Sequence, residues 1–125
     1  MMRILLAEDD DAMREYLARA LEKAGYGVTA VDRGTAAIPF LETESFDLLL
    51  TDIVMPEMDG IELAQKAGII APAMRIMFIT GFAAVTLKAG KAVPHAKVLS
   101  KPFHLRELVS EVERMFASDD ANEGN

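Results

Sequence analysis

The chain has no cysteine, which excludes disulfides and thiolate chemistry and fits a reducing compartment. No apolar stretch reaches the roughly 20 residues of a membrane span. The opening Met1-Met2-Arg3-Ile4 leads straight into a strand-like run without a signal-peptide layout, so a cytoplasmic protein is expected. Positive charge is also short: 13 Lys and Arg stand against 20 Asp and Glu, a formal net charge of −7. Nucleic-acid binding usually rests on a clustered cationic face, and these cations are scattered along the sequence, so no nucleic-acid partner is expected. With 125 residues, the chain is long enough for a real core and too short for a second folded unit of ordinary size.

What is present is a series of short apolar runs, each followed by a helical pattern. Ile4 to Ala7 reads as a strand covered on both faces and ends in Glu8-Asp9-Asp10-Asp11. Met13, Leu17, Ala20, Leu21 and Ala24 then recur at spacings of three and four, a helix capped by Asp10 or Asp11 and ended by Gly25. Val28 to Val31 is a second strand. A second helical stretch runs from Gly34 to about Glu42, where Pro39 predicts a late start, a kink or a short helix. Leu48, Leu49 and Leu50 form a third strand that closes on Asp52 and the Met55-Pro56 loop. Asp59, with Glu62 three residues on, opens a helix whose signal fades near Gly68. Pro72 argues for a loop, Arg75 to Thr80 for a fourth strand, and the low-charge stretch Phe82 to Val93 for a weak helix. Ala96 to Ser100 is a short fifth strand. A final helix carries Leu105, Leu108, Val109, Val112 and Phe116 on one face, and Ser118 to Asn125 reads as a disordered acidic tail. Strands alternating with helices five times predict an α/β domain: a doubly wound parallel sheet with right-handed crossovers.

Hydrophilic groups stand at the carboxyl ends of these strands, where open α/β sheets bind ligands. Glu8 and Asp9 follow the first strand, Asp52 ends the third, Thr80 the fourth, and Lys101 follows the fifth. In the flavodoxin-like order 2-1-3-4-5 the first and third strands are neighbours, so Glu8, Asp9 and Asp52 would converge. Carboxylates about 4 Å apart repel by roughly 1 kcal/mol in water and about 4 kcal/mol at an effective dielectric of 20, so three together call for a proton or a cation. Oxygen-only ligands suit Mg²⁺. Thr80 with Gly81 could present a hydroxyl and backbone amides to a phosphoryl oxygen, Lys101 a compact positive charge, and Asp52 a nucleophile.

Glu8-Asp9 after an apolar strand, Asp52-Ile53-Val54-Met55-Pro56, Thr80-Gly81 and Lys101-Pro102, in this order and spacing, resemble the receiver domain of two-component response regulators. The match spans about Met2 to Ala117, which makes 1–117 the receiver domain and 118–125 the tail. The resemblance implies a three-layer flavodoxin-like (CheY-like) fold with five helices. It also implies Mg²⁺ held by Glu8, Asp9, Asp52 and the backbone carbonyl of Val54, and a cis peptide between Lys101 and Pro102. Asp52 would take phosphate from a phosphohistidine on a histidine kinase or histidine phosphotransferase. Thr80, Gly81 and Lys101 would receive the phosphoryl group. The runs 50–64, 76–84 and 96–112 carry a narrower resemblance, to stand-alone receivers of alphaproteobacteria. That likeness implies binding of the ClpX unfoldase in the unphosphorylated form, and control of ClpXP proteolysis of cell-cycle regulators. Receivers commonly use the fourth helix, fifth strand and fifth helix as an output face, which here makes Phe82, Ala84, Val85, Leu87 and Val98 a candidate partner surface. Many receivers place Tyr or Phe three residues before the active-site Lys, where this chain has Val98.

Plainer readings stand beside these. Asp10 and Asp11 fit a solvated helix start. His95 and His104 read as exposed residues without co-ligands, and Met55, Met74 and Met77 as core fillers. The functional expectation is a phosphoacceptor with at most self-catalysed phosphorylation and dephosphorylation, not an enzyme. With no output domain attached, its signal leaves by protein contact or onward phosphotransfer. The alternatives are a Mg²⁺-dependent phosphohydrolase with Asp52 as nucleophile, disfavoured by Val54 where haloacid-dehalogenase sites need a second Asp, a phospho-intermediate, or a phosphate-blind interaction domain.

Overall fold

Side chains alternate across a strand, so a strand buried on both faces must be apolar throughout, whereas its covering helices need one apolar stripe each. The computed structural model describes residues 1–123 and has that organisation. The elements are β1 (Arg3–Ala7), α1 (Asp11–Lys23), β2 (Gly27–Val31), α2 (Gly34–Thr43) and β3 (Leu48–Asp52). They continue with α3 (Gly60–Ile70), β4 (Arg75–Thr80), α4 (Ala83–Ala92), β5 (Lys97–Ser100) and α5 (Leu105–Glu123). All strand pairs are parallel and the order is β2-β1-β3-β4-β5, leaving β2 and β5 as edges.

The period of two sorts the core into two layers. Leu5, Leu49, Ile76 and Phe78 point to the side covered by α2, α3 and α4, and meet Ala37, Leu41, Leu63, Ala67 and Ala89. Ile4, Leu6, Leu48, Leu50, Met77 and Ile79 point to the other side, and meet Leu17 and Leu21 of α1 and Leu108, Val112 and Phe116 of α5. Each fully buried Leu or Ile is worth about 1.5–3 kcal/mol relative to exposure. Met55, Met74 and Met77 are buried, as core fillers should be, and His95 and His104 are exposed.

Caps fix the helix starts. Asp10 accepts from the amide of Met13 at 2.8 Å and Asp59 from that of Glu62 at 2.8 Å. Gly25, at φ +101°, turns the chain after α1. Of the outcomes expected of Pro39, the late start is not seen and the short helix is: α2 runs ten residues, from Gly34 to Thr43. The ring removes only the bond its own N–H would make back to Thr35, and buried Ala37 and Leu41 anchor the helix on both sides of it. Helix α3 passes Gly68 and stops at Ile70, just before Pro72. Helix α5 continues through Glu123, into the stretch read as a disordered tail, because no Gly or Pro interrupts it before Gly124. Residues 124–125 of that tail lie outside the described residues.

Candidate functional site

Asp52 is the last residue of β3, a strand buried along its whole length between β1 and β4. Glu8 directly follows β1, and its amide donates to the carbonyl of Val31 at 3.1 Å, extending the contact with β2 by one residue. The register pairs Ala7 with Thr51, so the two strands end side by side. One carboxylate oxygen from each of Glu8, Asp9 and Asp52 lies within 4.8 Å of the others. Glu8 is wholly buried, Asp52 is 8% exposed, and Asp9 is open to solvent.

The electrostatics follow from this crowding. Burial, and then the Asp52 carboxylate, push the Glu8 carboxyl up to about 7, against the opposing pull of Lys101 and of the Asp10 amide. Lys101 Nζ sits 3.3 Å from Asp52 Oδ2 and 3.4 Å from Glu8 Oε1. Burial alone would lower the Lys101 ammonium, but Asp52 and Glu8 outweigh it and hold the group above its ordinary value. Three carboxylates facing one ammonium leave negative charge uncompensated in a mostly buried pocket. An all-oxygen donor set of this kind fits a hard divalent cation such as Mg²⁺.

The other expected residues surround this cluster. The Val54 amide donates to Asp52 Oδ1 at 3.4 Å. Thr80, buried at the end of β4, accepts at its hydroxyl from the Phe82 amide (3.1 Å) and at its carbonyl from the Lys101 amide (2.7 Å). Thr80 therefore ties the end of β5 to the sheet. Gly81 lies beside Lys101, whose Cβ a side chain at Gly81 would meet at 4.0 Å, and the Lys101–Pro102 peptide is cis. Of the expected partner surface, Phe82, Ala84 and Leu87 are exposed, whereas Val85 and Val98 are half-buried against the core layer under α4.

Three features escaped the sequence reading. Arg14 donates to the Glu8 carbonyl at 3.0 Å and pairs with Asp11, a contact that its place in the first turn of α1 could have suggested. A Cβ on Gly60 would collide with the Asp52 carbonyl oxygen, and the Gly60 amide donates to the Ile53 carbonyl at 2.7 Å, so α3 begins hard against the end of β3. The Asp59-Gly60 pair signals a helix start but not this approach. A cavity of about 450 Å³ beside Lys101 is lined largely by the apolar groups of Met13, Tyr16, Pro102, Phe103 and Leu105.

Known proteins are similar in sequence and in fold. A family model described as the response regulator receiver domain matches residues 4–113. The chain is 65% identical over 116 residues to the response regulator receiver protein CpdR of Brucella abortus, covering 92% of this chain and 97% of that protein. A receiver domain from Methanospirillum hungatei superposes with a TM-score of 0.89 at 29% identity, covering 98% of each chain. TrrA of Thermotoga maritima, a response regulator solved in complex with Mg²⁺–BeF, gives 0.79 at 27% identity, covering 91% of this chain and 98% of that one. Among the described residues no helix is long and apolar enough to cross a membrane. A match of that extent, on a sheet of this order with acids gathered at its carboxyl edge, makes the chain a member of the response regulator receiver domain family.

Proposed function

We propose that the protein is a phosphorylation switch in a histidine phosphorelay, with Asp52 as the covalent acceptor. The supporting observation is the convergence of Glu8, Asp9 and Asp52 within 4.8 Å, with the Lys101 ammonium 3.3 Å from Asp52. In this reading an Asp52 oxygen attacks the phosphorus of a phosphohistidine on a histidine kinase or histidine phosphotransferase. The O–P bond forms as the P–N bond breaks, and the imidazole nitrogen keeps the bonding electrons and takes up a proton. Glu8, Asp9, Asp52 and the Val54 carbonyl would hold Mg²⁺, which when bound neutralises negative charge on the transferred group. The Lys101 ammonium adds a second positive charge, and the Thr80 hydroxyl and Gly81 amide supply hydrogen-bond donors. The modified state shifts a two-state equilibrium that a partner reads, in the cytoplasm, at the α4–β5 surface of Phe82, Ala84, Val85, Leu87 and Val98.

Incubation with Mg²⁺ and a small-molecule phosphodonor tests the acceptor. Stoichiometric labelling, lost in Asp52→Ala, supports the switch; continued release of phosphate would favour a hydrolase, and no labelling would sink both. Likeness to CpdR along almost its whole length, together with the narrower sequence resemblance, favours ClpX as the partner and regulated proteolysis as the output. Purified ClpX should then bind the unmodified protein more tightly than the phosphorylated one, and equal binding of the two forms refutes this output.

A further inference from the structure

At the amino ends of the strands, opposite the acidic site, α2 hands over to β3 and α3 to β4. Between these two connections lies a hollow of about 550 Å³, whose walls include Leu41, Glu42, Glu44, Asp47, Ile70 and Pro72. Both helices end at its rim, α2 at Thr43 and α3 at Ile70. A helix C-terminus carries about half a unit of negative charge, which a Lys or Arg in the last turn commonly answers. Helix α1 has Lys23 there and α4 has Lys91, but α2 and α3 have no basic residue in the last turn. The acids of the hollow add charge of the same sign. Arg3 pairs with Glu44 at 2.5 Å and lies over the Phe46 ring, so one acid is neutralised. Asp47 accepts only the Arg3 backbone amide, at 2.7 Å, which leaves its charge uncancelled, and Glu42 stands exposed. Lys66, one turn before Ile70, offsets one of these two acids.

The same place is apolar on its outer side. Ile69 is 84% exposed and Ile70 38%, and exposed Pro72 and Ala73 follow them. Neither isoleucine packs in the core layer under α2, α3 and α4 or in the one under α1 and α5. A single exposed apolar residue needs no explanation, but a consecutive run beside an unanswered negative charge offers two kinds of contact at once.

We infer that this hollow at the amino end of the sheet docks a protein segment that is basic and apolar, with apolar side chains on Ile69, Ile70 and Pro72 and an arginine or lysine between Glu42, Asp47 and the two helix ends. A small cation would leave the isoleucines uncovered, and a nucleic acid or an anionic membrane would be repelled by the acids. A basic, apolar segment uses both components, and complementary charge speeds its encounter with a domain of net charge −7. Asp47 lies five residues before Asp52, about 17 Å at the rise of a strand, with buried β3 between them. Docking here is therefore independent of the state of Asp52, and the inference does not rest on the proposed switch.

The test uses the isotope-labelled full chain in excess Mg²⁺, which competes with a cationic probe for the Glu8, Asp9 and Asp52 cluster. Three synthetic peptides serve as probes: one with Leu flanked by Arg, the same with Glu in place of Arg, and the same with Ser in place of Leu. The Leu–Arg peptide should shift amide resonances of residues 42–47 and 69–74, and lose about tenfold in affinity between low salt and about 0.5 M salt. Each of the other two peptides should bind at least about tenfold more weakly. Ile69→Ser combined with Ile70→Ser should cost about tenfold, and Glu42→Lys about the same, with the amide spectrum of each variant reporting that it stays folded. Asp52→Ala should bind the Leu–Arg peptide as the unaltered chain does. Equal binding of the Glu or the Ser peptide, shifts at the carboxyl ends of the strands or none at all, wild-type affinity in folded Ile69 and Ile70 or Glu42 variants, self-association through this end, or a tenfold change in Asp52→Ala would each overturn the proposal. Covalent labelling of Asp52 is read separately, so loss of peptide binding defeats this surface alone and loss of labelling the switch alone.

Discussion

Strands β3 and β5 each deliver one charged group to the same pocket, and they do it on different foundations. Strand β3 is central, buried at all five positions, and hydrogen-bonded on both sides, so Asp52 stands on the least yielding part of the sheet. Strand β5 has four residues on an edge, only Val98 and Leu99 half-buried, and bonds to β4 alone. Lys101 therefore rides on the more yielding part, held by its amide to Thr80 and by its ammonium to Glu8 and Asp52. The difference separates two tasks. Those foundations suit the roles proposed for the two residues: a phosphoacceptor would need fixed geometry for in-line transfer, whereas an element reporting its state would need to change its contacts and lie where a partner can reach it.

Substitutions can break this contrast or sharpen it. The largest effect belongs to Asp52→Ala, which should abolish covalent labelling by a phosphodonor, measured by mass spectrometry of the intact protein; label persisting at another residue would remove β3 from its role. Leu49→Ala, in the buried centre of β3, should cost about 2–5 kcal/mol in urea unfolding. Mg²⁺ at about a hundredfold excess over its dissociation constant should add about 2.7 kcal/mol to stability by mass action, and Asp9→Asn should remove most of that gain. A melting temperature indifferent to Mg²⁺ would show that the acidic cluster does not bind the ion. Gly60→Ala should cost about 1–3 kcal/mol, because its Cβ collides with the Asp52 carbonyl, and should slow labelling as the strand end shifts. The smallest effect is on the edge strand, where Val98→Ala should cost about 1 kcal/mol, the value of two half-buried methyl groups. A cost comparable to that of Leu49→Ala would show β5 to be as rigid as β3.

The same two strands show how far the sequence could be read. Strand β3 was legible because an unbroken Leu48-Leu49-Leu50 run followed by Asp52 has few other physical meanings, and β4 was legible for the same reason. Strand β5 was placed one residue long at its start, since a four-residue strand between a proline turn and a Lys-Pro pair offers little pattern. Helix α2 was legible in its bounds to within one residue, and it continues past Pro39 because proline's penalty falls on one bond while buried neighbours act on the whole helix. At the site, the side-chain types and their strand-end positions could be read, and the structure brings Glu8, Asp9, Asp52, Thr80 and Lys101 together. The ammonium bridging Glu8 and Asp52 and the Gly60 approach depend on atoms far apart in sequence, and no local pattern encodes them.

The two open edges of the sheet also differ in what they invite. An edge strand offers unpaired backbone groups to any other extended chain. Strand β5 is short, carries exposed Lys97, and is bracketed by Pro94 and Pro102, features that discourage such pairing. Strand β2, Gly27-Val28-Thr29-Ala30-Val31, has neither charge nor proline within it, and all but Val31 are at least partly exposed. When heat or mutation loosens the domain, strand-to-strand aggregation should begin at β2, and a lysine at Ala30, its most exposed position, should delay it.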